Sequence, residues 1–115
     1  MAENSPILEA HEWFINSKKI FVWTIQGEGD ISGWNMEFVF KKSATEDAYL
    51  LRKDTAGGGL IVLSGPARTV QLTLQPTDTS GIEPVNGSYG LRRVDSGNEL
   101  LLAYGDAMLQ QAAAP

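Results

Sequence analysis

One histidine, two loose pairs of carboxylates and a run of three glycines are the parts of this sequence that could do chemistry. His11 is the sole imidazole and the chain has no cysteine, so the usual zinc sites lack their ligands. A Ser-His-Asp arrangement would need a distant serine folded against His11, and no Gly-x-Ser-x-Gly elbow presents one. Glu46-Asp47 and Glu28/Asp30 are the carboxylate pairs. Held several ångströms apart in a cleft, two such groups can exchange protons or hydrolyse a glycoside. Glu28, Asp30 and neighbouring carbonyls could also offer oxygens to calcium. Both pairs fall in turns between strand-like runs, where acids are normally solvated. Gly57-Gly58-Gly59 lacks the Lys-Ser/Thr and the following helix of a phosphate loop. The expectation is a protein without catalytic residues, metal or cofactor.

Residues suited to binding are easier to find. Trp23 and Trp34 lie in strongly apolar runs and read as core. Trp13, Phe14 and Ile15 form a short aromatic run near the N-terminus. It is either a strand of this domain or an anchor on a neighbour, since buried aromatics dominate interfaces. Eight of the nine basic residues come as adjacent pairs, Lys18-Lys19, Lys41-Lys42, Arg52-Lys53 and Arg92-Arg93. Neighbours on a strand point to opposite faces, so these are solvated strand ends or a rim that docks on an acidic partner. Trp13, Phe14, Ile15, Arg92 and Arg93 are the expected partner-interface residues.

The elements that must position them are strands. Residues 20–25 are rich in β-branched and aromatic types, which suit a pleated, half-buried surface. Residues 34–40 alternate, with Trp34, Met36, Phe38 and Phe40 on one face. Residues 69–75 alternate most cleanly, with Val70, Leu72 and Leu74 inward. Shorter runs at 11–16, 48–53, 60–63, 88–94 and 99–104 complete the set. Turn chemistry separates them, as in Gly27-Glu28-Gly29-Asp30, Ser64-Gly65-Pro66, Asn86-Gly87 and Asp95-Ser96-Gly97-Asn98. Many short strands at this spacing predict an all-β sandwich or small barrel. Pro76-Thr77-Asp78-Thr79-Ser80-Gly81 carries helix start and stop signals. It predicts one helical turn near 77–81 that crosses between sheets. Tyr89 then stands where a tyrosine corner would bond its hydroxyl back to the preceding loop.

Bulk properties agree with one folded domain. The 115 residues are 43% hydrophobic and 20% charged, enough for a core without staples. A net charge of −5 disfavours a nucleic-acid grip, which needs a basic face. No run approaches the ~18 apolar residues of a membrane helix, and no secretory leader is evident in the opening residues. The expected organisation is an N-terminal arm over 1–10, a β-sandwich over 11–106 and a C-terminal tail over 107–115.

Gly29-Asp30-Ile31-Ser32-Gly33-Trp34 opens a strand. Val70-Gln71-Leu72-Thr73-Leu74-Gln75 runs on through Pro76-Thr77-Asp78-Thr79-Ser80-Gly81-Ile82-Glu83-Pro84 to Gly87-Ser88-Tyr89-Gly90-Leu91. Over roughly residues 19–105 this pattern resembles the immunoglobulin-like domain at the N-terminus of upper baseplate proteins of tailed bacteriophages, and related phage structural proteins. The chain departs from that pattern at Val85-Asn86, which widens the Pro-Gly step, and at Arg92-Arg93, where an acidic residue often follows. The strand-like runs number about seven to eight, and the resemblance implies that they form an immunoglobulin-like sandwich with a structural role in the virion after synthesis in the host cytoplasm. The site would be the tail tip, baseplate or capsid exterior, with other virion proteins and further copies of this chain as partners. The alternative for a sandwich of this size is a carbohydrate-binding module, which an exposed Trp13 or Tyr49 would favour.

Overall fold

The computed structural model describes residues 6–43 and 45–111. Nine strands and one helical turn follow in chain order. They are β1 (Ile7–Leu8), β2 (His11–Phe14), β3 (Lys19–Thr24), β4 (Met36–Lys41), β5 (Leu51–Asp54), β6 (Leu60–Ser64), β7 (Thr69–Leu74), α1 (Pro76–Thr79), β8 (Val85–Arg93) and β9 (Leu100–Gln110). A six-stranded sheet has the order β1-β9-β8-β4-β5, with β2 also paired to β9; a three-stranded sheet has the order β3-β7-β6. The protein is therefore all-β, two sheets packed as a sandwich. The first two strands thus join the larger sheet through β9, while β3, β7 and β6 stand apart as the smaller one.

Alternation builds the core as the sequence predicts. Met36, Phe38 and Phe40 on β4 and Val70, Leu72 and Leu74 on β7 are all buried. Phe21 and Trp23 of the smaller sheet meet rings of the larger one. Trp13 and Phe21 have centroids 5.7 Å apart, and Trp23 and Phe38 6.3 Å apart. Such ring pairs add attraction beyond the apolar area they bury. The helical turn starts with Pro76 at its first position, where a missing N–H is harmless. The Gln75 N–H donates to Asp78 Oδ2 at 2.6 Å. Buried Thr79 accepts the Asn16 N–H at 2.9 Å, which ties the turn to the loop after β2.

Two expectations are corrected. The expected sandwich of about seven to eight strands is present with one strand more, nine among the described residues. The added one, β1, comes from the expected arm and pairs in parallel with β9, Ile7 opposite Ala103. At the other end β9 continues through buried Ala107 and Leu109 to Gln110. Boundaries placed at 10 and 106 thus fall inside the sheet, because the long β9 carries β8 along one edge and β1 then β2 along the other. Residues 1–5 of the expected arm and 112–115 of the expected tail lie outside the described residues. Tyr89, finally, does not close a corner with its preceding loop. Its hydroxyl donates to the Glu9 carbonyl at 2.8 Å, between β1 and β2.

Candidate functional site

A groove of about 470 Å³ crosses the outer face of the six-stranded sheet. Its middle is one cross-strand row: Leu8 lies opposite Tyr104, Tyr104 opposite Gly90, and Gly90 opposite Val39. Gly90 makes the depression, since no side chain stands between Tyr104 and Val39. A Cβ there would meet only Leu101 Cδ1, at 4.0 Å. Leu8, Leu101 and Tyr104 are 70%, 41% and 40% exposed, so the wall is an apolar surface open to solvent.

Charges close the groove at both ends. Arg92 lies opposite both Leu101 and Glu37, while Ser88 lies opposite both Asp106 and Lys41. Glu37 is engaged: Arg52 Nε donates to its Oε2 at 2.9 Å and also reaches Asp54. Those carboxylates hold the Arg52 pKa above its ordinary value, the Asp54 hydrogen bond being the larger cause. Arg92, Lys41 and Asp106 make no ion pair among the described residues. The wall is held in place by the β1–β2 crossing. Glu9 N–H donates to the Tyr104 carbonyl at 3.0 Å. The Glu9 carbonyl passes so close to Gly105 that a Cβ there would lie 2.2 Å from its oxygen. Only glycine allows that approach.

The five expected interface residues separate. Trp13 is 2% exposed, with its ring 5.1 Å from that of Phe40. It belongs to this domain's core, because β2 pairs with β9 and turns alternate residues inward. Phe14, the next residue, is 40% exposed. Ile15 packs against the core, and its N–H donates to the Gln110 carbonyl at 2.8 Å. Arg92 faces the groove. Arg93, on the opposite face, stacks 4.2 Å over the Trp34 ring and bonds Asp95 at 2.7 Å.

The residues considered for chemistry do not converge. Glu46 and Asp47 are exposed on the β4–β5 connection. Asp30 Oδ1 accepts the Ser32 N–H at 2.8 Å, and its bonds to Ser32 lower its pKa. His11 sits among the rings of Phe21, Tyr89 and Trp23 at 4.6, 5.2 and 5.7 Å. Its Nε2 lies 2.8 Å from Glu9 Oε1. Burial lowers its pKa, against the pull of Glu9. Among the described residues no cluster of three or more His, Asp or Glu could hold a metal ion. No described helix is long and apolar enough to cross a membrane.

Sequence reasoning missed Arg68. It is buried, has φ of 59°, and its guanidinium donates to the carbonyls of Ile25, Gln26, Glu28 and Gly29 at 3.1, 2.7, 2.7 and 2.8 Å. One side chain thus shapes the whole loop after β3. Its signal was its isolation: it is the one basic residue outside the adjacent pairs, directly after Gly65-Pro66-Ala67. Compared with protein-family models and with curated proteins, the chain matches none.

Proposed function

We propose that this chain is a non-enzymatic structural subunit that acts by protein–protein assembly, and that the Gly90 groove is its docking face. The observation that carries the reading is the groove's composition: an apolar middle of Leu8, Tyr104, Leu101 and Val39, with uncommitted charges at its ends. That arrangement suits a partner segment with an apolar side chain at its centre and polar groups at either side. The particle is proposed to be a tailed-bacteriophage virion, at the tail tip, baseplate or capsid surface. This part rests on the resemblance of residues 19–105 alone, with which the all-β, two-sheet fold is consistent. A carbohydrate-binding role has lost one of its two aromatics, since Trp13 is buried, although Tyr49 is 57% exposed.

A photo-crosslinking phenylalanine analogue in place of Tyr104, with Ser96 on the β8–β9 hairpin as control position, tests the reading in cells that make the protein. The expected result is a discrete adduct from position 104 alone. It should sediment with virion-sized particles and contain a particle protein. Absence of any such adduct, or retention of the purified protein on an oligosaccharide panel through Tyr49, would overturn the reading.

A further inference from the structure

Each sheet of a sandwich ends in edge strands, and unpaired edges invite further pairing unless they are guarded. Three of the four edges here are guarded. β5 is four residues long and carries Arg52, Lys53 and Asp54. β6 has a register shift between Val62 and Ser64. The β1/β2 edge is short and interrupted between Leu8 and His11. The β3 edge differs. Its six residues pair with β7 in unbroken register from Lys19↔Leu74 to Thr24↔Thr69. It has no proline and no bulge, and its one charge, Lys19, stands at its end.

The phase of hydrogen bonding identifies the unpaired groups. The Ile25 N–H donates to the Arg68 carbonyl at 2.8 Å, so odd-numbered residues turn their backbone groups toward β7. In an antiparallel ladder the alternate residues turn theirs away. Ile20, Val22 and Thr24 therefore point their N–H and C=O groups out from the edge, and none of these groups has a partner among the described residues. The side chains of Ile20 and Val22 lie 48% and 54% exposed on the outer face.

We propose that two copies of this chain pair edge to edge along β3, antiparallel, with Val22 opposite Val22 of the second copy. In that register Ile20 of each copy faces Thr24 of the other, and every one of the outward groups of Ile20, Val22 and Thr24 finds a partner. The outer face gains β-branched cross-strand contacts, which stabilise sheets. Lys18 and Lys19 of one copy come to the end of the other copy's strand that leads toward Glu28, away from its lysines. The contact is isologous and consumes both edges, so it closes as a dimer. This rests on the assembly reading above but uses the opposite sheet from the groove, so either can fail alone.

The chain has no cysteine, which permits a register test. In the proposed dimer two Val22 Cα atoms are about 5.5 Å apart, within disulfide reach. Two Thr24 residues are displaced by four positions, about 13 Å along the strand. Val22→Cys should give a covalent dimer under mild oxidation and Thr24→Cys should not. Untagged wild type should sediment as a dimer, and Val22→Lys, which sets two cations at the twofold axis, as a folded monomer by circular dichroism. A wild type that stays monomeric at every concentration, equal crosslinking of both cysteine variants, or a dimer indifferent to Val22→Lys would overturn the proposal. A failure here with a normal Tyr104 adduct would leave the groove reading intact.

Discussion

Tyr89 fastens two parts of the sandwich at once. Its ring stacks on Phe38 with centroids 5.8 Å apart, and its hydroxyl donates to the Glu9 carbonyl at 2.8 Å. Burial pushes its pKa up to about 12, so the hydroxyl keeps its proton at any physiological pH. Tyr89→Phe keeps the ring and removes one hydrogen bond. It should lower stability by about 1 kcal/mol, read as a reduced urea midpoint at unchanged slope. Asp95 works from the surface. Arg93 first, then the Asn35 backbone N–H and side chain, bring its pKa down to about 2 from 3.8. On acidification the unfolded chain binds this proton first, so the stabilisation is present above about pH 4 and is lost as pH falls to about 2. Asp95→Asn should therefore melt below wild type at neutral pH, with the gap closing at the acidic end of that window. Paired titrations by thermal melting check this.

At the scale of elements, the N-terminal strands are held by the buried Trp13 side chain and by a close backbone crossing. β1 and β2 are parallel to β9, and the chain crosses between them over Gly105. Gly105→Ala forces a Cβ against the Glu9 carbonyl and should cost about 1–3 kcal/mol, the range for overpacking. Amide exchange should quicken first in β1 and β2, which hydrogen-exchange mass spectrometry resolves. Alternation made β4 and β7 legible in the sequence, since each reports its own burial every second residue. β1 was not legible: two residues carry no period, and their partners Ala103 and Tyr104 lie at the far end of the chain. Trp13 was ambiguous for the same reason. Whether its side faces the core depends on the register between β2 and β9, set by pairing over nearly the whole chain length. The helical turn was readable because Pro76 and Asp78 act locally, although it begins at Pro76 and ends at Thr79.

For the molecule as a whole, the two proposed binding features are products of topology. The groove exists because β1, β9, β8 and β4 bring Leu8, Tyr104, Gly90 and Val39 into one row, and because the residue in the middle has no side chain. No stretch of sequence contains that row, so composition and motifs could suggest a binding protein without locating its face. Arg92 alone among the expected interface residues lines it. The groove and the β3 edge lie on different sheets, so one copy can pair with another while still presenting its groove. Gly90→Leu tests the central claim most directly. The site has room, with nothing nearer than 4.0 Å to the added Cβ, so the variant should fold and melt like wild type while its side chain fills the groove. Co-sedimentation of wild type and Gly90→Leu with virion-sized particles from the producing cells is the measurement. Loss of the folded variant from the particles is the predicted result, and incorporation equal to wild type would contradict the groove as the docking face.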